Sequence, residues 1–151
     1  MNYEAYPFIL NETNTHYKFQ STGKRGIFEK AVAFSPLTDQ IYNLALLDLD
    51  PVTQDYVDDT VTDNGDLPQV LATVMAVILE YLKEHPSRYI VLTGNTKSRT
   101  RLYQIAIGKV VVEMKDFLNI WGYRNHEWIR FEANRSFESF LIGQKSLDSF
   151  R

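Results

Sequence analysis

Apolar and polar residues alternate with a period of two early in the chain. Residues 16–21 place Tyr17 and Phe19 between polar neighbours, and residues 27–34 resume the alternation after a short turn containing two glycines. Two alternating arms separated by turn residues are typical of a β-hairpin. The pattern therefore predicts two antiparallel strands in this part of the chain.

The strands on either side of this hairpin have different patterns. Residues 41–49 are apolar almost throughout, as expected of a central strand that is covered on both faces. Residues 3–10 are compatible with a further strand, and Pro7 would keep it at the edge of the sheet because proline lacks an N–H donor. We therefore predict a meander with an additional edge strand.

Two later segments have the periodicity of helices. In residues 67–82 the apolar positions recur at helical spacing, and Pro86 ends the pattern. Asp66 can cap this helix, and Gln69, three residues later, can complete a capping box. The second helix is predicted over residues 96–117, and its expected core stripe consists of Tyr103, Ala106, Ile107, Val110, Met114 and Phe117.

The remaining apolar segments are short. Residues 88–93 and 127–132 read as strands, and for residues 136–142 we favour a strand over a short helix. The segment between residues 48 and 66 contains seven Asp and no Lys or Arg, and it is predicted to be a loop. The fold class that follows is α+β: a mainly antiparallel sheet with two helices packed on one face, in a single domain over residues 1–151.

Composition excludes several classes of protein. Apolar residues make up 44% of the 151 and charged residues 23%, which is typical of an ordered globular chain. The absence of cysteine excludes disulfides and thiolate chemistry. The longest nearly apolar run, residues 70–79, is too short to span a membrane, and the first residues do not resemble a secretory leader. We therefore expect a cytoplasmic protein without membrane association.

The charges are distributed unevenly. Residues 1–87 hold 5 Lys or Arg against 13 Asp or Glu, whereas residues 88–151 hold 11 against 6. A positive half can present a surface that binds anions, or it can dock onto the negative half. The sequence leaves both interpretations open.

The segment from Gly94 to Arg101 suggests where an anion would bind. It follows a predicted strand, opens a predicted helix and carries three cations. A helix start already has a partial positive charge, so each cation there costs about 0.3–1 kcal/mol unless something negative compensates it. Free N–H groups and hydroxyls at such a turn can hold an oxyanion, although the spacing is not that of a Walker A loop. The residues that we expect to contribute are Gly94, Thr96, Lys97, Arg99, Thr100 and Arg101.

Three hypotheses for function follow from these residues. The first is a non-enzymatic module that binds a phosphate-bearing ligand or a nucleic-acid segment, for example RNA, at this helix start. The second is a protein-interaction module, either a homodimer or one partner of an operon-encoded pair. The third is a metal-dependent phosphoesterase that uses Asp48, Asp58 or Asp59, with Arg99 stabilising the transition state.

Other signatures of catalysis are missing from the sequence. The acidic loop does not have EF-hand spacing, and the three histidines do not have the spacing of zinc ligands. We therefore assign no catalytic residue, no metal ligand and no cofactor, and we expect that the protein is not an enzyme.

The chain resembles an uncharacterised family of bacterial proteins, mainly from Bacteroidota, that is known only as a domain of unknown function of about 150 residues. The resemblance extends over nearly the whole chain. It implies no activity, and Asn95 and Asp63 depart from the family pattern. The motifs that carry it are Phe19-Gln20-Ser21, Gly23, Gly26-Ile27, Tyr42-Asn43-Leu44, Asp58-Asp59, Asn64-Gly65-Asp66, Val70-Leu71-Ala72-Thr73-Val74, Gly94, Thr96 and Arg99-Thr100-Arg101-Leu102-Tyr103.

Overall fold

The computed structural model describes residues 4–57, 64–94, 96–114 and 116–145. These residues form two helices and nine strands. In chain order the elements are β1 (Ile9–Leu10), β2 (His16–Gly23), β3 (Gly26–Pro36), β4 (Ile41–Leu49), β5 (Tyr56–Val57), α1 (Leu67–Glu84), β6 (Tyr89–Leu92), α2 (Lys97–Met114), β7 (Leu118–Arg124), β8 (Glu127–Arg130) and β9 (Ser139–Gln144).

The strands form one open, mostly antiparallel sheet. Its order is β1-β2-β3-β4-β6-β9-β7-β8, and β5 pairs with β4 outside this path. The predicted α+β class with a mainly antiparallel sheet is therefore confirmed. Neither helix in the described ranges is long and apolar enough to cross a membrane. The chain divides into two compact units, the first made of residues 1–35 and 44–77 and the second of residues 36–43 and 78–151.

The first unit is organised around the predicted hairpin. β2 and β3 pair in register from His16 opposite Ala33 to Gly23 opposite Gly26. Alternation places Tyr17 and Phe19 on the same side of β2, and both are buried. The hairpin prediction is confirmed, and its turn lies where the two glycines indicated.

The turn before α1 is held by buried polar groups. Val70 N donates to Asp66 O at 3.0 Å, in the first bond of the helix. The Asp66 carboxylate accepts hydrogen bonds from the Ser21 hydroxyl and from Tyr6 Oη, the latter at 2.6 Å. Gln69 Oε1 is buried without a hydrogen-bond partner, so the predicted capping box does not form. The prediction was wrong because the Asp66 side chain binds the hairpin instead of the helix start.

The second unit has a sheet with two different faces. β9 is antiparallel to both β6 and β7, and alternate residues of the three strands are buried. α2 contributes Tyr103, Ala106 and Ile107 to the buried residues. The residues of the buried sheet face are Ile90, Leu92, Leu118, Ile120, Gly122, Phe140 and Ile142.

The element prediction needs four corrections. The strand β7 was not predicted, and helix α2 ends at Met114 instead of residue 117. Phe117 lies in the following turn and is 58% exposed, so it is not part of the core stripe. The predicted edge strand is reduced to β1, and the predicted acidic loop contains the short strand β5.

Candidate anion site at the start of helix α2

Thr96 caps helix α2. Arg99 N donates to Thr96 Oγ1 at 3.1 Å, and Thr100 N donates to Thr96 O at 3.0 Å. A hydroxyl that accepts from the third N–H of a helix is the usual N-cap arrangement. The predicted helix start is therefore present, one residue later than expected, with Thr96 exposed just before it.

Gly94 packs tightly against the first turn of α2. A Cβ atom at this position would lie 2.4 Å from Thr100 N and 2.6 Å from Thr100 Oγ1. Thr100 is buried, and its hydroxyl lies 3.0 Å from Thr96 O and 3.4 Å from Gly94 O. This hydroxyl holds the loop against the helix, and a contact between Thr100 and a ligand stays a prediction.

The three cations of this segment have no ion-pair partner among the described residues. Lys97 and Arg101 are exposed and Arg99 is half-buried. The first turn of α2 contains no acidic residue that would offset the helix dipole. Burial raises the pKa of the Tyr103 phenol to about 12, and the nearby positive charge of Arg99 acts in the opposite direction.

Three described aspartates of the acidic segment, Asp48, Asp50 and Asp66, have side-chain partners. Asp48 forms a buried ion pair with Lys30, in which the two side chains are only 11% and 7% exposed. Asp50 Oδ1 accepts from Val52 N at 2.8 Å, and Asp66 binds Ser21 and Tyr6. Each of these three carboxylates has its partner within the first unit.

The metal hypothesis depends on residues that the structure only partly describes. Asp58 and Asp59 lie outside the described residues, as does Asp63. Within the described ranges, no group of three or more His, Asp or Glu side chains is placed to hold a metal ion. Asp48, the described member of the proposed set, is paired with Lys30, and the phosphoesterase hypothesis stays a prediction.

A second surface of the second unit was not predicted from the sequence. Trp121 and Tyr123 alternate along β7, and Trp128 stands opposite Tyr123 on β8. Tyr89 on β6 has its ring centroid 6.1 Å from that of Trp121. We call these four side chains the aromatic face. The alternation of residues 121 and 123 could have revealed this surface. Because the second helix was predicted to extend to residue 117, these residues fell in the segment between two predicted elements.

Both surfaces lie in a part of the chain that matches a known family. The sequence model of a family of unknown function, DUF6934, matches residues 2–145. The chain belongs to this family. The resemblance to a domain-of-unknown-function family is thus confirmed, whereas the bacterial origin and the cytoplasmic location stay predictions. No curated protein and no solved structure matches the chain.

Membership of DUF6934 supplies no ligand, partner or reaction. The matched range contains the start of α2 and all four residues of the aromatic face. An assignment of function must therefore come from the chemistry of these surfaces.

Proposed function

We propose that this DUF6934 protein is a non-enzymatic module that binds a phosphate-bearing ligand or a nucleic-acid segment at the start of helix α2. The observation that supports the proposal is the grouping of Lys97, Arg99 and Arg101 there, without an ion-pair partner among the described residues. A bound anion would provide the missing negative charge.

The backbone favours the same ligand chemistry. The first N–H groups of a helix have no acceptor within the helix, and Thr96 satisfies only the N–H of Arg99. The N–H groups of Lys97 and Ser98 have no acceptor among the described residues. Free N–H groups, the helix dipole and guanidinium groups all favour a phosphate oxygen.

A charge reversal at Arg99 tests the proposal. Without ligand, Arg99→Glu should raise the free energy of unfolding by about 0.3–1 kcal/mol, because a carboxylate is favourable at a helix start. A ligand at 100 times its Kd stabilises a folded protein by about 2.7 kcal/mol, which for a chain of this size is about 5–11 °C in Tm. The variant should lose this increase with phosphate, sulfate and nucleotides.

Lys109→Glu is the matched control. It makes the same change of charge at an exposed position of the same helix, far from its first turn. Thermal shift at several salt concentrations should show anion stabilisation of the wild type and of the control, but not of Arg99→Glu. If no anion stabilises the wild type at low salt, or if Arg99→Glu destabilises the protein as loss of an internal ion pair would, the proposal is wrong.

A second candidate function, homodimer formation, is favoured by the outer surface of α2. Ile105 and Val112 lie two helical turns apart on one side, with 48% and 78% exposure. Gly108 lies between them, and a Cβ built on it meets nothing within 4 Å. Light scattering after size exclusion tests this candidate, because a monomer at high concentration contradicts it.

A further inference from the structure

The open face of the sheet in the second unit has an unusual composition. The positions whose side chains alternate away from the core on β6, β7 and β8 are half-buried or exposed, and Trp128 is 43% exposed. A solvated face of an antiparallel sheet is ordinarily polar. Here it carries the aromatic face: Tyr89, Trp121, Tyr123 and Trp128.

The rings of this face are positioned by close contacts. The ring centroids of Tyr123 and Trp128 are 5.1 Å apart, with an angle of 54° between the planes. A Cβ on Gly143 would lie 2.4 Å from the Tyr89 ring, so only glycine allows that ring to lie across β9. The aromatic face is therefore a packed surface of rings and not a set of isolated side chains.

The charges around the aromatic face favour an anionic partner. The guanidinium of Arg130 lies 5.2 Å from the centre of the Trp121 ring and donates to Asn119 Oδ1 at 3.0 Å. Alternation places no carboxylate on this side of β6, β7, β8 or β9. The positive charge of Arg130 attracts an anionic partner and repels a cationic one.

Two residues of the aromatic face, Tyr123 and Trp128, lie at the end of this sheet where the chain leaves for α2, whereas Tyr89, at the start of β6, lies toward the other end. β6 and β7 run in the same direction because both are antiparallel to β9. Thr93 follows β6, and its hydroxyl is 2.6 Å from that of Ser139, the residue opposite Tyr123. The next residue along the chain is Gly94, where the loop into α2 begins.

We infer that the aromatic face binds single-stranded nucleic acid by stacking bases on its rings. In some RNA-binding proteins, aromatic side chains on the open face of an antiparallel sheet stack two or three unpaired bases, whereas the bases of a duplex are not accessible to such rings. This inference rests on the proposed function, because it identifies the phosphate-bearing ligand of that function as single-stranded nucleic acid. The cations of α2 would then hold phosphates of the same strand.

The expected salt dependence of binding is weak. A formal net charge of −3 disfavours binding through many phosphate contacts. Binding to single strands loses affinity with a log–log salt slope of about −0.7 for each neutralised phosphate. A shallow slope, corresponding to about two to four phosphates, is expected because most of the affinity comes from stacking.

The test compares two substitutions of Trp128. Trp128→Leu keeps an apolar side chain but removes the aromatic ring, and Trp128→Tyr keeps a ring. Fluorescence anisotropy with a single-stranded RNA of about ten nucleotides should show a loss of affinity of about 5- to 150-fold for Trp128→Leu, with recovery in Trp128→Tyr. Circular dichroism and the Tm of each variant serve as folding controls.

The measurement separates this inference from the proposed function. Inorganic pyrophosphate, which has no bases, should bind Trp128→Leu as it binds the wild type, whereas Arg99→Glu should lose both ligands. Equal RNA affinity of the wild type and Trp128→Leu, or no RNA binding at all, overturns the inference. Pyrophosphate binding without RNA binding would leave only the proposed function. A dimer that Trp128→Leu dissociates, in a protein that binds no RNA, would instead identify the aromatic face as a protein interface.

Discussion

Replacing Gly94 with alanine should weaken the fold at the point where the chain enters α2. The added Cβ would lie 2.4 Å from Thr100 N, whereas ordinary contacts of a Cβ are 3.4–4 Å. The atom it meets belongs to the backbone of a helical turn and cannot rotate away. Forcing a methyl group into packed surroundings typically costs about 1–3 kcal/mol.

Gly108, inside helix α2, provides a control with the opposite sign. Gly108 is in the interior of α2, and a Cβ there meets nothing within 4 Å. Gly108→Ala should therefore stabilise the protein by about 0.5–1 kcal/mol, since alanine loses less backbone entropy than glycine in a helix. The two variants make the same chemical change in different surroundings.

Urea unfolding measures the change in the free energy of unfolding for both variants, and the Tm from thermal unfolding provides an independent check. Because about 1 kcal/mol corresponds to about 2–4 °C for a chain of this size, Gly94→Ala should lower the Tm by about 2–12 °C. Gly108→Ala should raise it by about 1–4 °C. Equal stability of Gly94→Ala and the wild type would refute the contact between Gly94 and Thr100, on which the geometry of the site depends.

Two further predictions concern buried groups. Lys30→Met should lower the free energy of unfolding, measured with urea, by about 3–5 kcal/mol because it leaves the Asp48 carboxylate buried without a partner. Lys30→Met combined with Asp48→Leu should recover that loss. A double variant as unstable as the single one would contradict this prediction. Stability should fall as pH rises from 10 to 12, because the unfolded chain releases the Tyr103 proton near its ordinary pKa of 10.0 and the folded chain only near 12. Tyr103→Phe should reduce this fall in urea midpoints compared between pH 9 and pH 11, and an unchanged pH dependence would show that Tyr103 does not contribute.

Local sequence patterns were sufficient for much of the fold. The β2–β3 hairpin could be predicted because its alternation and its turn agree, and α1 could be predicted because its apolar spacing ends at a proline. β7 could not, because its pattern is interrupted by Gly122. A Cβ on Gly122 would lie 2.2 Å from the Phe137 ring, so this glycine is required by a residue 15 positions further along the chain. Such a requirement is tertiary and leaves no local signal.

The same distinction applies to the candidate site. The helix start and its three cations could be located from the sequence, because strand, glycine and helix follow each other directly. The partner of Asp48 could not be predicted, because Lys30 lies 18 residues away on another strand. The aromatic face was missed because its rings come from three strands, and their common orientation depends on a register that only the sheet defines.

The most direct measurement of the central claim is a titration of the protein with inorganic phosphate, followed through the backbone amides by NMR. If the start of α2 binds the anion, the amide signals of Lys97 and Ser98 should shift first and saturate together. When phosphate is added to the Arg99→Glu variant, the signals of these two amides should not shift. Shifts that occur elsewhere in the chain while these two amides stay unchanged would contradict the account.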